Sequence, residues 1–468
     1  METAFPVAGK GAGPGWLPPA LRVRSYRWYW SAQWPVLLGT WMQTVALGYF
    51  VYQQTHSVNA VAFVAAASGL PALALSVVGG ALADRYPRRR ILLVTQSTLG
   101  LGAATLALLA STGHFSLVAI VVVAVVFGSS AAVDLPTSQA LVADLVRRDL
   151  VLNAMALAAS AMSVCRIVGP SVAGVLYAVA GPGACFACLA IAYLAPISVL
   201  LMVVPDIVPA GRAGSRRLVA DVAAGFAAAW HDPLLRGVMG AGGMLSLFGV
   251  SYMPFLPVLA SSRLHVGSSG LGLMYSVGGV GGLTGALLLS VLGRGRGRRW
   301  FLVGGGVLYA LSLATVARSA WLGWTLPALV GVSLAFVAIN TTLITVIQTD
   351  ADPAVRGRLL GLYATQAVGL QPLGTLLYSV LGSAHLFDGV TVGALLVGGC
   401  AVAVGLGRGL ATRGPGAVSP PTTGASPRQG PPGSSGARPV VAPPSQSAAG
   451  PVDRAERQTD ADPSGFPT

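Results

Sequence analysis

From Ala32 to Gly407 the chain alternates long apolar runs with short polar interruptions, and each run is close to twenty residues long. That length suits a helix at ~1.5 Å rise per residue crossing the ~30 Å hydrocarbon core of a bilayer. The pattern predicts an all-α membrane protein of twelve transmembrane helices, near 32–53, 60–83, 91–112, 117–138, 155–180, 183–204, 235–259, 269–292, 300–318, 321–348, 359–383 and 387–407. Between the fourth and fifth, Asp134 to Asn153 mixes polar and apolar residues and leaves room for an interfacial helix. The spans divide six and six, giving an N-terminal bundle at 21–204, a cytoplasmic linker at 205–234 and a C-terminal bundle at 235–408. Within the linker, Leu218, Val222, Phe226 and Trp230 recur every four residues, which predicts a short helix lying on the membrane surface by one apolar stripe. Residues 1–20 and 409–468 are rich in Pro, Gly, Ser and Ala, and bury too little to fold, so both read as disordered tails.

Composition narrows the solvent to lipid: 54% of residues are hydrophobic and 9% are charged, against about 25% charged in soluble domains. The formal net charge of +14 would suit a nucleic-acid partner if it formed one patch, but its distribution suits membrane topology instead. If the spans alternate, every basic residue except Arg166, Arg263 and Arg318 falls on one side, with both termini. By the positive-inside rule that side is the cytoplasm, so the chain reads as a multi-pass protein of the cell membrane with both termini cytoplasmic and no nucleic-acid partner. The start of the chain is polar and basic, and the first span is expected to serve as its own insertion signal. Cys165, Cys185, Cys188 and Cys400 all fall in apolar spans. The Cys185–Cys188 pair lacks two further ligands at zinc spacing, so packing is the expected role, with no metal or other cofactor.

Where the second span reaches the cytoplasm, the chain reads Gly80-Ala81-Leu82-Ala83-Asp84-Arg85-Tyr86-Pro87-Arg88-Arg89. Gly80 permits a close helix contact, and Asp84 is placed to face a helix N-terminus, where the macrodipole favours negative charge. This segment resembles the signature loop between helices 2 and 3 of the major facilitator superfamily, with Pro87 where that pattern often has Gly. The resemblance implies a gate: Asp84, with Arg85, Arg88 and Arg89, would hold two helix bundles together on the cytoplasmic side, against helix 11. An ordinary basic anchoring loop is the alternative. The corresponding loop of the second half, Gly293 to Arg299, has no acid, which predicts a one-sided latch.

A wider set of residues narrows the family. Tyr26-Arg27-Trp28-Tyr29-Trp30 leads into Gly39-Thr40-Trp41-Met42-Gln43, Asp134-Leu135-Pro136 is followed by Gln139, and Arg166-Ile167-Val168-Gly169-Pro170 lies in the fifth span. Asn340-Thr341-Thr342 then precedes Arg356-Gly357-Arg358-Leu359-Leu360-Gly361. Together these resemble the enterobactin-exporter-like branch, the transmembrane secretion effectors, over roughly Leu21 to Gly407. Members of that branch export siderophores, drugs and macrolides. Gly169, Pro170 and Gly174 resemble the fifth-span signature of antiporters in the superfamily, and Pro372 and Gly374 echo them in the eleventh span. Small residues allow close approach and proline removes a backbone hydrogen bond, so these spans are expected to bend where they meet neighbours; a purely structural kink is the alternative.

A charge at the centre of a span costs at least ~2.5 kcal/mol even on lenient scales, which singles out Asp134 and Arg166. Asp134 is the candidate for ion coupling and Arg166 for substrate or carboxylate binding; interfacial capping and buried packing are the structural alternatives. Gln43, Asn340 and Gln348 are polar candidates for the same cavity, with Trp41 as an aromatic wall. The sequence has no phosphate-cradling loop, no zinc-protease histidine pair and no nucleophile elbow, so the expected protein is not an enzyme and draws on an ion gradient. The reading is a secondary active transporter: a proton-coupled exporter, or antiporter, of small amphipathic molecules such as drugs, siderophores or secondary metabolites, working by alternating access. A proton-coupled nutrient importer and a non-transporting scaffold or receptor are the alternatives, and substrate identity and oligomeric state are left open. On this reading Asp84→Asn will insert and express normally yet lose most transport, since it removes a charge contact and no core packing; full efflux by the mutant removes the gate. Truncation after Arg413 is expected to leave cell-based export unchanged.

Overall fold

A computed structural model of the protein describes residues 17–204, 227, 230, 232–292 and 297–407, with the side chains of 76–78, 80, 81, 84, 354, 382 and 383 excluded. Long helices dominate it, as hydrocarbon requires, because every backbone N–H and C=O must find its partner within the segment. They are α1 (Arg24–Thr55), α2 (Val58–Arg85), α3 (Arg88–Ser111), α4 (Leu117–Leu145), α5 (Val151–Ala192) and α6 (Leu194–Met202) in the first half. The second half holds α7 (Pro233–Met244), α8 (Leu256–Ser262), α9 (Ser268–Leu292), α10 (Arg298–Arg318), α11 (Leu322–Asp350), α12 (Pro353–Val380) and α13 (Gly382–Leu406). Among the described residues there is no strand. The surface-helix stripe expected from Leu218 to Trp230 lies outside the described residues apart from Trp230, as do residues 1–16 and 409–468 of the tails. Residues 17–20 of the expected disordered N-terminal tail are instead ordered, with a 3-10 turn at Pro19–Arg22, Ala20 buried and its N–H donating to Asn153 Oδ1 at 3.0 Å.

The starts of α2, α4 and α7 carry polar side-chain caps. The Ser57 side chain accepts the N–H of Ala60 at 3.3 Å, Ser116 accepts that of Ala119 at 3.3 Å, and Asp232 accepts that of Leu234 at 2.8 Å. Each removes an unsatisfied donor from a helix end. The Asp134–Asn153 region is simpler than expected: α4 runs on to Leu145, and only a short 3-10 turn, Arg148–Leu150, separates it from α5. No interfacial helix intervenes.

Among the described residues, nine helical segments are long and apolar enough to cross a membrane. One of them, Arg148–Met202, is 55 residues long and contains a fold. Gly181 has φ 79° and ψ 178°, a conformation open to glycine, and Pro182 follows. Gly169 abuts Trp41 and Leu38, while Leu189 abuts Gly39. On a straight helix residues 169 and 189 would lie ~30 Å apart, so the chain has turned back between them. Cys185 Sγ lies 3.6 Å from the Ala173 carbonyl oxygen, as a hairpin pivoting near Gly181 demands. α1 and α12, at 32 and 28 residues, have the length of a span but less apolar sequences, and part of the polar content of each faces an internal chamber described below.

Packing within the first half joins α1 to α5, α2 to α4, and α3 to both α4 and α5; within the second it joins α9 and α10 to α11, and α10 to α13. The halves meet through α5 on α9 and through α2 on α12. Glycines set both meetings. A Cβ at Gly174 would stand 2.6 Å from the Ser268 carbonyl oxygen, one at Gly279 would stand 3.2 Å from the Arg166 oxygen, and one at Gly272 would strike the Pro170 oxygen. On the other side Gly69 receives the ring of Pro372, and Gly369 receives Leu73. The Ser268 hydroxyl donates to the Gly174 carbonyl at 3.0 Å, and Ser171 bonds Ser276 at 2.7 Å. Gly174→Val is therefore expected to lower the melting temperature of the purified protein or to abolish monodisperse expression, whereas Gly399→Ala, with nothing within 4 Å of its added methyl, will match wild type in both.

Candidate functional site

Between the halves lies a chamber of about 940 Å³. Its first-half wall is built by α1, α2, α4 and α5, with Trp41, Gln43, Asp134 and Arg166 among the lining residues; α9, α11 and α12 contribute Tyr275, Phe336 and Gln371. Most of the wall is apolar or aromatic, with a few placed polar groups, which is the usual make-up of a small-molecule site. Toward the α1–α2 connection the lining residues Val51, Val61 and Val64 are buried, and close by the halves touch at Gly48 against Pro257 and at Gly174 against Ser268. Toward the opposite end the lining residues Leu135, Gln139 and Ala159 are exposed. The chamber is thus closed at one end and open toward the end that carries Arg88, Arg147 and Arg298.

Asp134 lies on α4 and accepts a hydrogen bond from Thr95 Oγ1 of α3 at 2.6 Å. The Gln96 side chain approaches it as a second donor, and Tyr29 and Tyr193 lie within electrostatic reach. Tyr29 is fixed in turn by a 2.8 Å hydrogen bond to Ser138, and Tyr26 by one of 2.8 Å to the Ala154 carbonyl. The carboxylate therefore sits in a cluster assembled by several helices, none of whose partners sequence spacing could reveal. Arg166 is half-buried on α5, with its guanidinium 5.6 Å from the centre of the Trp41 ring. Gly169 makes this stacking possible, since a side chain there would collide with Trp41 Cβ at 2.7 Å. Asp134 and Arg166 form no ion pair with each other among the described residues.

Two of the expected cavity residues lie elsewhere. Asn340 does not line the chamber: it accepts a 2.8 Å hydrogen bond from Tyr363 and ties α11 to α12. Gln348 is exposed near the end of α11, also away from the chamber. Both are polar residues in an apolar helix, but helix rotation points them at a neighbour and at the surroundings. Of the helix-bending residues, Gly169, Pro170 and Gly174 lie on the α5 face that meets α1 and α9. Pro372 meets Gly69, and Gly374 abuts the Leu247 carbonyl at a π-turn, Leu245–Gly249. Ser251 Oγ donates to the Gln371 carbonyl at 2.8 Å beside this contact.

At the arginine-rich end, Gly80 and Asp84 fall in the last turns of α2, but their side chains lie outside those described. Arg85 is exposed. Arg88 binds within the first half, donating to the Ala140 carbonyl at 3.1 Å and pairing with Asp144 on the last turn of α4, and Arg89 donates to the Leu201 carbonyl at 2.9 Å. The second half repeats the arrangement: Arg298 at the start of α10 donates to Thr349 at 2.8 Å and pairs with Asp350 at 3.3 Å. An acid is absent from the second loop itself, but the end of α11 supplies one. Sequence reasoning missed Asp144 and Asp350, although each is the acid on the closing turn of an apolar span.

Helices packed in two sets around a central chamber that is open at one end define a multi-pass membrane transporter, and solved structures agree on the fold. A mutant of the nucleoside transporter NupG superposes with a TM-score of 0.67 at 12% identity, covering 81% of this chain and 98% of that one. A bacterial homologue of the iron transporter ferroportin, in an inward-facing state, gives 0.64 at 14% identity over 82% and 99%. The profile of the transmembrane secretion effector family matches residues 15–417, and the chain belongs to that family, within the major facilitator superfamily. Relatives include the staphyloferrin A transporter of Staphylococcus aureus, 25% identical over 76% of this chain and 88% of that protein. The enterobactin exporter EntS of Citrobacter koseri is 26% identical over 74% and 84%. If Arg88 and Asp144 act as one pair, Arg88→Gln and Asp144→Asn will each lower thermal stability and the double mutant will be no worse than the poorer single mutant. Additive losses in that cycle would show that the pair is not coupled.

Proposed function

We propose that this transporter is a proton-coupled exporter of small amphipathic molecules, working by alternating access between bundles at 21–204 and 235–408 joined by the 205–234 linker. The observation that carries the reading is the chamber: it lies between the halves, is closed at one end, and among the described residues holds one carboxylate, Asp134, within an otherwise largely apolar wall. Twelve crossings follow if α1 and α12 join the nine apolar segments and Arg148–Met202 crosses twice about Gly181. The even number leaves both termini on the arginine-rich side, which the positive-inside rule makes cytoplasmic. The chamber then opens to the cytoplasm, the side from which an exporter loads, and a relative named as an enterobactin exporter supports that direction.

In this reading Asp134 carries the proton. It is held by Thr95 and Gln96 of α3 and faces the chamber, so its surroundings change between water and protein as access alternates. Asp84 closes the cytoplasmic side in the opposite state through the charge contact expected of its loop. The test uses everted membrane vesicles energised with a proton gradient. Wild-type vesicles should accumulate substrate and lose it on addition of a protonophore; Asp134→Asn should bind substrate and fail to accumulate it. Accumulation by Asp134→Asn that still collapses with a protonophore would place the proton elsewhere, and uptake in the opposite sense would replace export with import.

A further inference from the structure

We infer that the molecule carried is an amphipathic oxyanion, a carboxylate in the first instance, and that Arg166 is the residue that recognises its charge. The inference rests on the proposed transport reading and adds the substrate class. An arginine inside a membrane protein is normally compensated by a carboxylate or by backbone carbonyls. Arg166 has neither among the described residues: it enters no ion pair or hydrogen bond, and its one defined neighbour is the face of Trp41 at 5.6 Å. A cation over an aromatic ring is stabilised by ~0.5–2 kcal/mol, which leaves the N–H donors of this half-buried guanidinium to be satisfied by what fills the chamber. That stacking also engages one face of the group, while its N–H donors lie around the edge, arranged for two-point recognition of a carboxylate or phosphate.

The other charge of the chamber does not answer this one. Asp134 is held by Thr95 at 2.6 Å and by Gln96, both on α3. Counting from the helix ends at Leu145 and Val151, it also lies about one turn nearer the open end than Arg166 does. The charge left without a partner is positive.

Position makes Arg166 a recognition group. It lines the large chamber and also a smaller recess of about 50 Å³ that runs into the second half, bounded by Tyr252, Tyr275, Ser333 and Phe336. Tyr252 lies within electrostatic reach of the guanidinium. An anionic group small enough for the recess would meet Arg166 from the first half and tyrosine and serine hydroxyls from the second, while an apolar body stacked along Trp41 and Phe336 would fill the chamber. The site is therefore complete only when the two halves contribute together.

The experiment uses the full-length protein in lipid nanodiscs and pairs of an anionic amphipath with a neutral counterpart: 2-naphthoate with 2-naphthamide, cholate with cholamide, and 2-naphthyl phosphate with its dimethyl ester. Binding is read by titration calorimetry and by thermal shift. Wild type is expected to prefer each carboxylate over its amide by roughly tenfold or more, the worth of a charged hydrogen bond. A larger preference for the phosphate pair would assign the oxyanion as phosphate. Arg166→Gln is expected to lose that preference while still binding the neutral partners, and Arg166→Lys to keep part of it. Arg166→Lys also serves as the folded control if Arg166→Gln is not monodisperse, because it retains charge and loses only two-point contact. Equal binding of acid and amide by wild type, binding of no anion, or a preference that survives in Arg166→Gln would each overturn the inference. Export of neutral or cationic amphipaths with the acids ignored would do so too, while leaving the transport reading intact.

Discussion

The contact of backbone on backbone where α5 crosses α9 sets the geometry of everything else in the molecule. Gly174 and Gly272 let the Ser268 and Pro170 carbonyls come within reach of Cα atoms, and the Ser268 hydroxyl turns that proximity into a hydrogen bond on the Gly174 oxygen. In lipid there is no hydrophobic force to draw two helices together, so close packing and small residues must do so. Because this contact, with Gly48 against Pro257 and Gly69 against Pro372, closes one end, the remaining separation of the halves opens at the other end as the chamber. The proline at 170 belongs to the same device. It cannot bond the carbonyl of Arg166 four residues back, and Gly279 of the second half packs against that oxygen.

The chamber chemistry follows from which charges the helices can support. Asp134 faces water-accessible space on one side and two polar side chains of α3 on the other, so its burial is compensated from within one half. Among the described residues Arg166 stacks on the face of Trp41, with Tyr252 of the second half within electrostatic reach, and it stands at the boundary with that half. One charge is therefore a property of a single half and the other of the seam, which assigns them naturally to different tasks.

The membrane-embedded architecture was legible because its signal is length and apolarity, and both are local. Most polar interruptions lie within a few residues of the observed helix ends, and the gap between the fifth and sixth expected spans falls at Gly181-Pro182, but α1 begins at Arg24 and not 32, α4 runs to Leu145 and not 138, and α12 begins at Pro353 and not 359. Rotation about a helix axis was not legible. Asn340 and Gln43 look alike in sequence, yet one is consumed by Tyr363 and the other faces the chamber; the difference is a matter of which neighbour stands opposite. The same holds for Asp144 and Asp350, whose partners lie 56 and 52 residues away in the chain. Gly169 and Trp41 were singled out separately, and only the fold shows that the first exists to admit the second.

The paired clasps at the arginine-rich end have a mechanical consequence. Arg88 with Asp144 fastens the start of α3 to the end of α4, and Arg298 with Asp350 fastens the start of α10 to the end of α11. Each brace joins two helix ends of the same half and none of the other. Each half is thereby stiffened at that end, as a leaf that moves as one piece. Movement within either leaf at that end must first break such a clasp.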